Sequence, residues 1–94
     1  MNELALDGMI VHCEAVRHTP AGLQVFEGVL HHNGQVREAG GVRNLDFECD
    51  VMAFGAVAER LQEMELPAKV ALKGYIAPRS MRSRRLIVYI TDFN

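Results

Sequence analysis

Apolar residues near the start of the chain fall on two parities. Leu4 and Leu6 share one, while Met9, Val11, Cys13 and Ala15 take the other and alternate with Ile10, His12, Glu14 and Val16. A repeat of two marks extended backbone. The parity changes at Asp7-Gly8, where glycine allows a bulge or sharp bend. This stretch therefore predicts one long strand, bent so that it serves two sides of a closed barrel. Thr19-Pro20-Ala21-Gly22 predicts a turn, with proline presetting one backbone angle and glycine permitting a positive one. A second strand is expected over residues 23–32. Asn33-Gly34 is a strong turn pair, and the polar stretch to Gly41, with Glu38-Ala39-Gly40-Gly41, predicts a long mobile hairpin loop. A third strand over residues 42–54 places Leu45, Phe47, Cys49, Val51 and Ala53 on one face. Asn44, Asp46, Glu48, Asp50 and Met52 fall on the other.

The period then lengthens. Between residues 55 and 65 the apolar positions Val57, Leu61 and Met64 are close to helical spacing, and Pro67 ends that helix. Alternation returns over residues 69–77, with Val70, Leu72, Gly74 and Ile76 against Ala71, Lys73, Tyr75 and Ala77. Pro78 and residues 79–85 interrupt it. A last strand over residues 86–93 sets Leu86, Val88 and Ile90 against Ile87, Tyr89 and Thr91. Three strands, a short helix and two further strands predict an all-β, five-stranded OB-fold barrel with one short helix between the third and fourth strands. An SH3-like barrel is the nearest competitor and usually lacks that helix. One domain is expected across residues 1–94, with no internal repeat and no low-complexity segment.

With 49% hydrophobic residues the chain belongs among globular proteins rather than disordered tails. No apolar run approaches the roughly 18 residues that cross a bilayer. Glu3 and Asp7 interrupt any basic-then-apolar leader, so a cytoplasmic protein that contacts no membrane is expected. Cys13 and Cys49 lie too far apart for a redox pair or zinc knuckle and read as small buried apolar residues. The formal net charge is −2, but its distribution is lopsided. Residues 1–65 carry four Lys/Arg against eleven Asp/Glu, whereas residues 66–94 carry six against the single acid Asp92. A total near zero thus conceals a basic patch that a phosphate backbone would feel.

Little in the chain points to catalysis. His12, His18, His31 and His32 lack metal-binding spacing, and neighbouring His31 and His32 face opposite sides of a strand. Asp46, Glu48 and Asp50 share one strand face and could in principle hold a hard cation, but such a row is more often a solvated acidic surface or a partner site. Nucleophile-elbow, P-loop and dinucleotide signatures are missing, so no catalytic residue, metal or cofactor is expected, and a metal-dependent nuclease is the weakest reading. The stronger signal is Arg79-Ser80-Met81-Arg82-Ser83-Arg84-Arg85, four arginines in seven residues. A basic hairpin tip can bind nothing. Arginine's planar fork, however, grips phosphate and stacks on bases, and Lys73, Tyr75 and Tyr89 should share the adjoining outward face. Aromatic side chains beside a basic groove suit a single strand, whose bases stack while its phosphates pair.

Several residues also carry a family resemblance. Leu4, Leu6 and Gly8 in the first strand, Pro20 and Gly22 in the first turn, and Leu30, His32, Glu38-Ala39-Gly40 and Arg43 around the second loop resemble the primosomal replication protein N family. So do Val70, Leu72, Gly74 and Tyr75 in the fourth strand. These are small OB-fold relatives of single-stranded-DNA-binding protein, and the resemblance covers nearly the whole chain. It implies a homodimer that binds single-stranded DNA, assists the restart helicase and other primosome proteins at stalled forks, and has no enzymatic activity. It also implies DNA contacts at Arg17 near the first turn, at Arg82, Arg84 and Arg85 between the fourth and fifth strands, and at Tyr75. The chain has Asp46 where some members of the family carry a stacking tryptophan on the third strand, and Asn33 in place of a basic residue just after the second strand.

Residues and resemblance together give a non-sequence-specific single-stranded-DNA-binding protein of the replication-restart primosome. Its expected DNA contacts are Arg17, Arg43, Lys73, Tyr75, Arg79, Arg82, Arg84, Arg85 and Tyr89, with residues 33–42 closing over the strand and the first strand pairing two copies. The alternative is a protein-interaction adaptor whose acidic face meets a partner and whose DNA binding is weak or secondary.

Overall fold

A computed structural model describes residues 1–94. Six strands and one helix follow one another as β1 (Leu4–Cys13), β2 (Arg17–His18), β3 (Gln24–Glu38), β4 (Gly41–Phe54), α1 (Ala56–Gln62), β5 (Ala68–Pro78) and β6 (Leu86–Phe93). The sheet order is β1-β5-β6-β4-β3-β2, and β1 also pairs with β3, so five strands form a closed ring with the two-residue β2 outside it. All neighbours are antiparallel except β4 and β6, which meet in parallel through Val51–Val88 and Met52–Tyr89. This is the expected five-stranded OB fold, with the helix between the strands here called β4 and β5.

The interior is apolar throughout. Phe26, Leu30, Val51, Leu72 and Ile10 lie at its centre, and no polar side chain is fully buried. Ala58 and Leu61 of α1 plug one end of the ring, with Val57 and Met64 packing partly against the same cluster. The helix is shorter than the spacing predicts. Only its buried turns are regular, and the chain leaves it before Pro67. No helix is long and apolar enough to cross a membrane.

Two local expectations are corrected. The irregularity in β1 lies not at Asp7-Gly8 but at Val11, the extra residue between the pairs Ile10–Leu30 and His12–Val29. Leu4, Leu6, Gly8 and Ile10 keep one inward parity, and the bulge then turns Cys13 inward. Gly8 marks a close approach instead, since a Cβ there would sit 2.3 Å from the carbonyl oxygen of His31. The second correction concerns Asn33-Gly34. No turn forms there, because β3 and β4 stay paired for fourteen consecutive residue pairs, from Val25–Phe54 to Glu38–Gly41. The long mobile loop is thus a two-stranded ribbon whose ladder outweighs the local preference of an Asn-Gly pair. Its reversal is the two-residue loop Ala39-Gly40, with φ of 51° and 78°. Both residues are left-handed, as the right-handed twist of a hairpin demands.

Ala39 occupies that conformation without glycine's freedom or asparagine's tolerance. Replacing it with Asn should raise stability by about 0.5–1 kcal/mol, read as a melting temperature several degrees higher in a thermal denaturation scan. No rise would mean that the ribbon turns elsewhere.

Candidate nucleic-acid interface

The outer wall of the ring is built from β3, β4 and β6. In antiparallel register, residues opposite one another share a face, so Val25, Glu27 and Val29 of β3 lie beside Phe54, Met52 and Asp50 of β4. The parallel contact with β6 adds Tyr89 beside Met52. Val25, Met52 and Ile87 form a second apolar cluster with Tyr89 packed on it, separate from the barrel interior. Each is under 7% exposed. Something on the outside must cover them.

Aromatic rings cover one side. Tyr75 and Tyr89, directly opposite on β5 and β6, stack with centroids 5.1 Å apart and planes at 11°. Phe54 continues the row beyond Tyr89, at 6.2 Å and 14°. Tyr75 and Phe54 are 37% and 41% exposed, which leaves π faces open at both ends of the row.

Charged groups cover the other side. Glu27 is a largely enclosed carboxylate that accepts hydrogen bonds from two arginines. The Nη1 of Arg17 donates to its Oε1 at 2.7 Å, and Arg79 spans both oxygens, donating from Nη2 to Oε1 at 3.0 Å and from Nη1 to Oε2. This two-pronged contact is what the guanidinium fork makes best. The Arg79 hydrogen bond holds the Glu27 carboxyl below its ordinary pKa; partial burial opposes the shift and Arg17 reinforces it. Reciprocally, Glu27 raises Arg79. Arg85 donates from Nη2 to Asp50 Oδ2. Arg17 reaches the cluster because β2 pairs Arg17 with Val25. Arg79 and Arg85 reach it because residues 79–85 fold back as a compact loop, closed by Arg79 N donating to Arg85 O at 3.3 Å and by an inner turn at Ser80 and Ser83.

Of the nine expected DNA contacts, Arg17, Tyr75, Arg79, Arg85 and Tyr89 therefore assemble on one surface. Arg82 and Arg84 stand at the exposed loop tip beside it, outside every ion pair of the molecule. Arg43 stands apart. It pairs with Glu38 at 3.7 Å on the ribbon, seven residues along β4 from Asp50 and thus roughly 23 Å away. Lys73 shares the outer face of β5 with Tyr75 but pairs in register with Asp92, beyond the bulge between Lys73 and Gly74. The acidic row of β4 is broken up: Asp46 bonds His31 at 2.5 Å, Asp50 holds Arg85, and Glu48 is exposed. No three metal-ligating side chains converge. Cys13 and Cys49 are free, and burial, then the charge of Asp50, pushes the Cys49 thiol up.

Glu27 and Phe54 escaped the sequence reading. The signal for Glu27 is a lone acid inside the apolar run Val25-Phe26-Glu27-Gly28-Val29-Leu30. For Phe54 it is the parity shared with Met52 at the end of an otherwise acidic strand face.

Comparison with known proteins identifies relatives of the whole chain. Residues 2–92 match a family described as another single-strand binding protein family. The chain is similar to replication restart protein PriB of Bordetella pertussis, with 33% identity over 90 residues covering 96% of this chain and 84% of the relative. PriB of Nitrosomonas europaea is 31% identical over 91 residues, covering 97% and 84%. Among solved structures, priB of Ralstonia solanacearum superposes with a TM-score of 0.90 at 26% identity, over 100% of this chain and 96% of that one. The single-stranded DNA binding protein of Thermus aquaticus shares the fold, with a TM-score of 0.76 at 19% identity, over 100% of this chain and 49% of that one.

Because the folded-state pKa of Glu27 is depressed, its ionised form favours the fold above the unfolded carboxylate pKa, and that contribution disappears as pH falls through the folded value. In urea denaturation, the advantage of the native chain over Glu27→Gln should be constant from neutral pH down to about 5 and shrink below about 4. A difference independent of pH would mean that Arg17 and Arg79 do not hold the carboxylate.

Proposed function

This chain belongs to the replication restart protein PriB family of OB-fold single-strand binding proteins, and on that premise we propose that its outer wall holds single-stranded DNA without regard to sequence. One observation carries the reading: an open-ended row of stacked rings, Phe54, Tyr89 and Tyr75, runs beside a cluster of arginines on the exposed wall of the barrel. Every base has a π face and every nucleotide a phosphate, so such a surface binds single strands generally. Arg82 and Arg84 make the first phosphate contacts, Tyr75 and Phe54 stack bases on their open faces while Tyr89 between them holds the row together, and Arg17, Arg79 and Arg85 line the path. Arg43 and Lys73 are outlying contacts of a longer strand, with the ribbon rather than a loop guiding it.

The protein acts as one OB-fold domain across residues 1–94 in the cytoplasm, without catalysing a reaction. It presents DNA to the restart helicase and other primosome proteins. A homodimer forms through β1, because residues 4–6 pair with β5 on one side and with no strand on the other. An unpaired edge of this kind is a template for a second strand. An adaptor with secondary DNA binding is the second reading, supported by exposed Glu48, which has no ion-pair partner.

Fluorescence polarisation with a labelled oligothymidine across a salt series tests the main reading. Binding should follow a log–log salt slope of about −0.7 per phosphate neutralised, and replacing Arg82 and Arg84 with Ala should weaken it and flatten the slope by about 1.4. Tyr75→Ala should cost about 1–3 kcal/mol for the base stacked on its open face. An absence of binding even at low salt would favour the adaptor.

Static light scattering at micromolar concentration should give twice the mass of one chain. The mass of a single chain would refute pairing through β1.

A further inference from the structure

The arginines nearest the stacked rings are already occupied. Arg79 gives both prongs of its fork to the two oxygens of Glu27, Arg17 bonds one of the same oxygens, and Arg85 holds Asp50. Three guanidinium charges face two carboxylates, so this wall offers a phosphate a net charge of +1 rather than +3. The two carboxylates are not solvated bystanders. Their side chains are only 15% and 25% exposed, and they lie against β3 and β4, over the apolar cluster of Val25, Met52 and Ile87. Carboxylate and phosphate oxygens present similar geometry to a guanidinium fork, so one takes the other's place on the same donors. The arginines themselves are exposed, with side chains 45–71% accessible, so a phosphate can reach their guanidinium groups from solvent. Exchange gives up the pairs with Glu27 and Asp50 and replaces them with pairs to phosphate on the same guanidinium groups.

We propose that Glu27 and Asp50 are affinity-setting residues of this surface, internal anions that compete with DNA phosphate for Arg17, Arg79 and Arg85. The proposal rests on the single-strand-binding reading. In the free protein the two carboxylates hold the loop of residues 79–85 against the barrel and leave Arg82 and Arg84 as the available cations. A strand caught first at Arg82 and Arg84 then draws Arg79 and Arg85 off their carboxylates. The displaced charges of Glu27 and Asp50 remain beside the path and repel the phosphates. The two acids thus cap affinity and reduce the number of phosphates the protein neutralises, which keeps a strand exchangeable.

Glu27→Gln, Asp50→Asn and the double variant test this by oligothymidine polarisation over a salt series. Glu63→Gln, the same charge change on an exposed residue at the end of α1, serves as control. The double variant should bind several-fold more tightly than the native chain near physiological salt. Its salt slope should steepen by about 0.7 for each additional phosphate engaged, up to about 1.4. The control should match the native chain. If Glu27→Gln fails to fold by circular dichroism, Asp50→Asn alone should show the smaller steepening. Equal affinity and slope in all variants would overturn the proposal. So would weaker binding by folded variants, which would make the carboxylates struts that position the arginines, or an equal gain in Glu63→Gln, which would reduce the effect to net charge. If neither native nor neutralised protein binds at low salt, the single-strand reading falls too. If the native chain binds and the variants do not differ from it, only the competition falls.

Discussion

β1 has to hydrogen-bond to two different neighbours, to β5 through residues 4–10 and to β3 through residues 9–13, and a straight strand cannot satisfy both. The ring closes only because Val11 is inserted as a bulge and because Gly8 lets the strand pass so close to His31 that a Cβ there would sit 2.3 Å from its carbonyl oxygen. Once β1 is bent in this way, β3 and β5 are held on opposite sides of one apolar interior. β4 and β6 are then brought into their short parallel contact, and the outer wall acquires its shape. The residues that face solvent there are as much a product of the bend in β1 as of their own strands.

That dependence explains what could be read in advance. Period two located every long strand, and the lengthened spacing of Val57, Leu61 and Met64 located the helix, because each element buries one face and the pattern records which. The place where β1 bends was misjudged by three residues. Gly8 is the visible irregularity, while Val11, the true bulge, has an apolar side chain like its neighbours. Asn33-Gly34 misled for a related reason. A turn preference is local, whereas the β3–β4 ladder gains a pair at every residue and carries the chain through to Ala39-Gly40. β2, two residues long, has too little pattern to be seen.

The site was legible as a list of side chains but not as an arrangement. Clustered arginines and aromatic residues on adjoining strands can be read from spacing, and Arg17, Tyr75, Arg79, Arg85 and Tyr89 do converge. Which cation faces which anion cannot be read so. Glu27 lies 52 residues from Arg79, and Asp50 lies 35 from Arg85. These pairings depend on the closed ring and on a loop that folds back over it. Met52 is the most instructive single residue. On an acidic face it reads as an oddity, yet in the fold it anchors an apolar layer outside the barrel on which the rings and ion pairs rest. β4 is consequently packed on both of its faces at Val51, Met52 and Ala53, all nearly inaccessible to solvent.

The β3–β4 ribbon bears on the entropy of recognition. A ten-residue mobile loop closing over a ligand would have to give up its backbone freedom on every encounter, at roughly 1–2 kcal/mol for each residue fixed. A hydrogen-bonded ribbon reversed by two residues has already surrendered that freedom in folding. If the arm guides a strand as proposed, it does so in a shape set by folding, and its contribution lies in contour and not in a capacity to adapt.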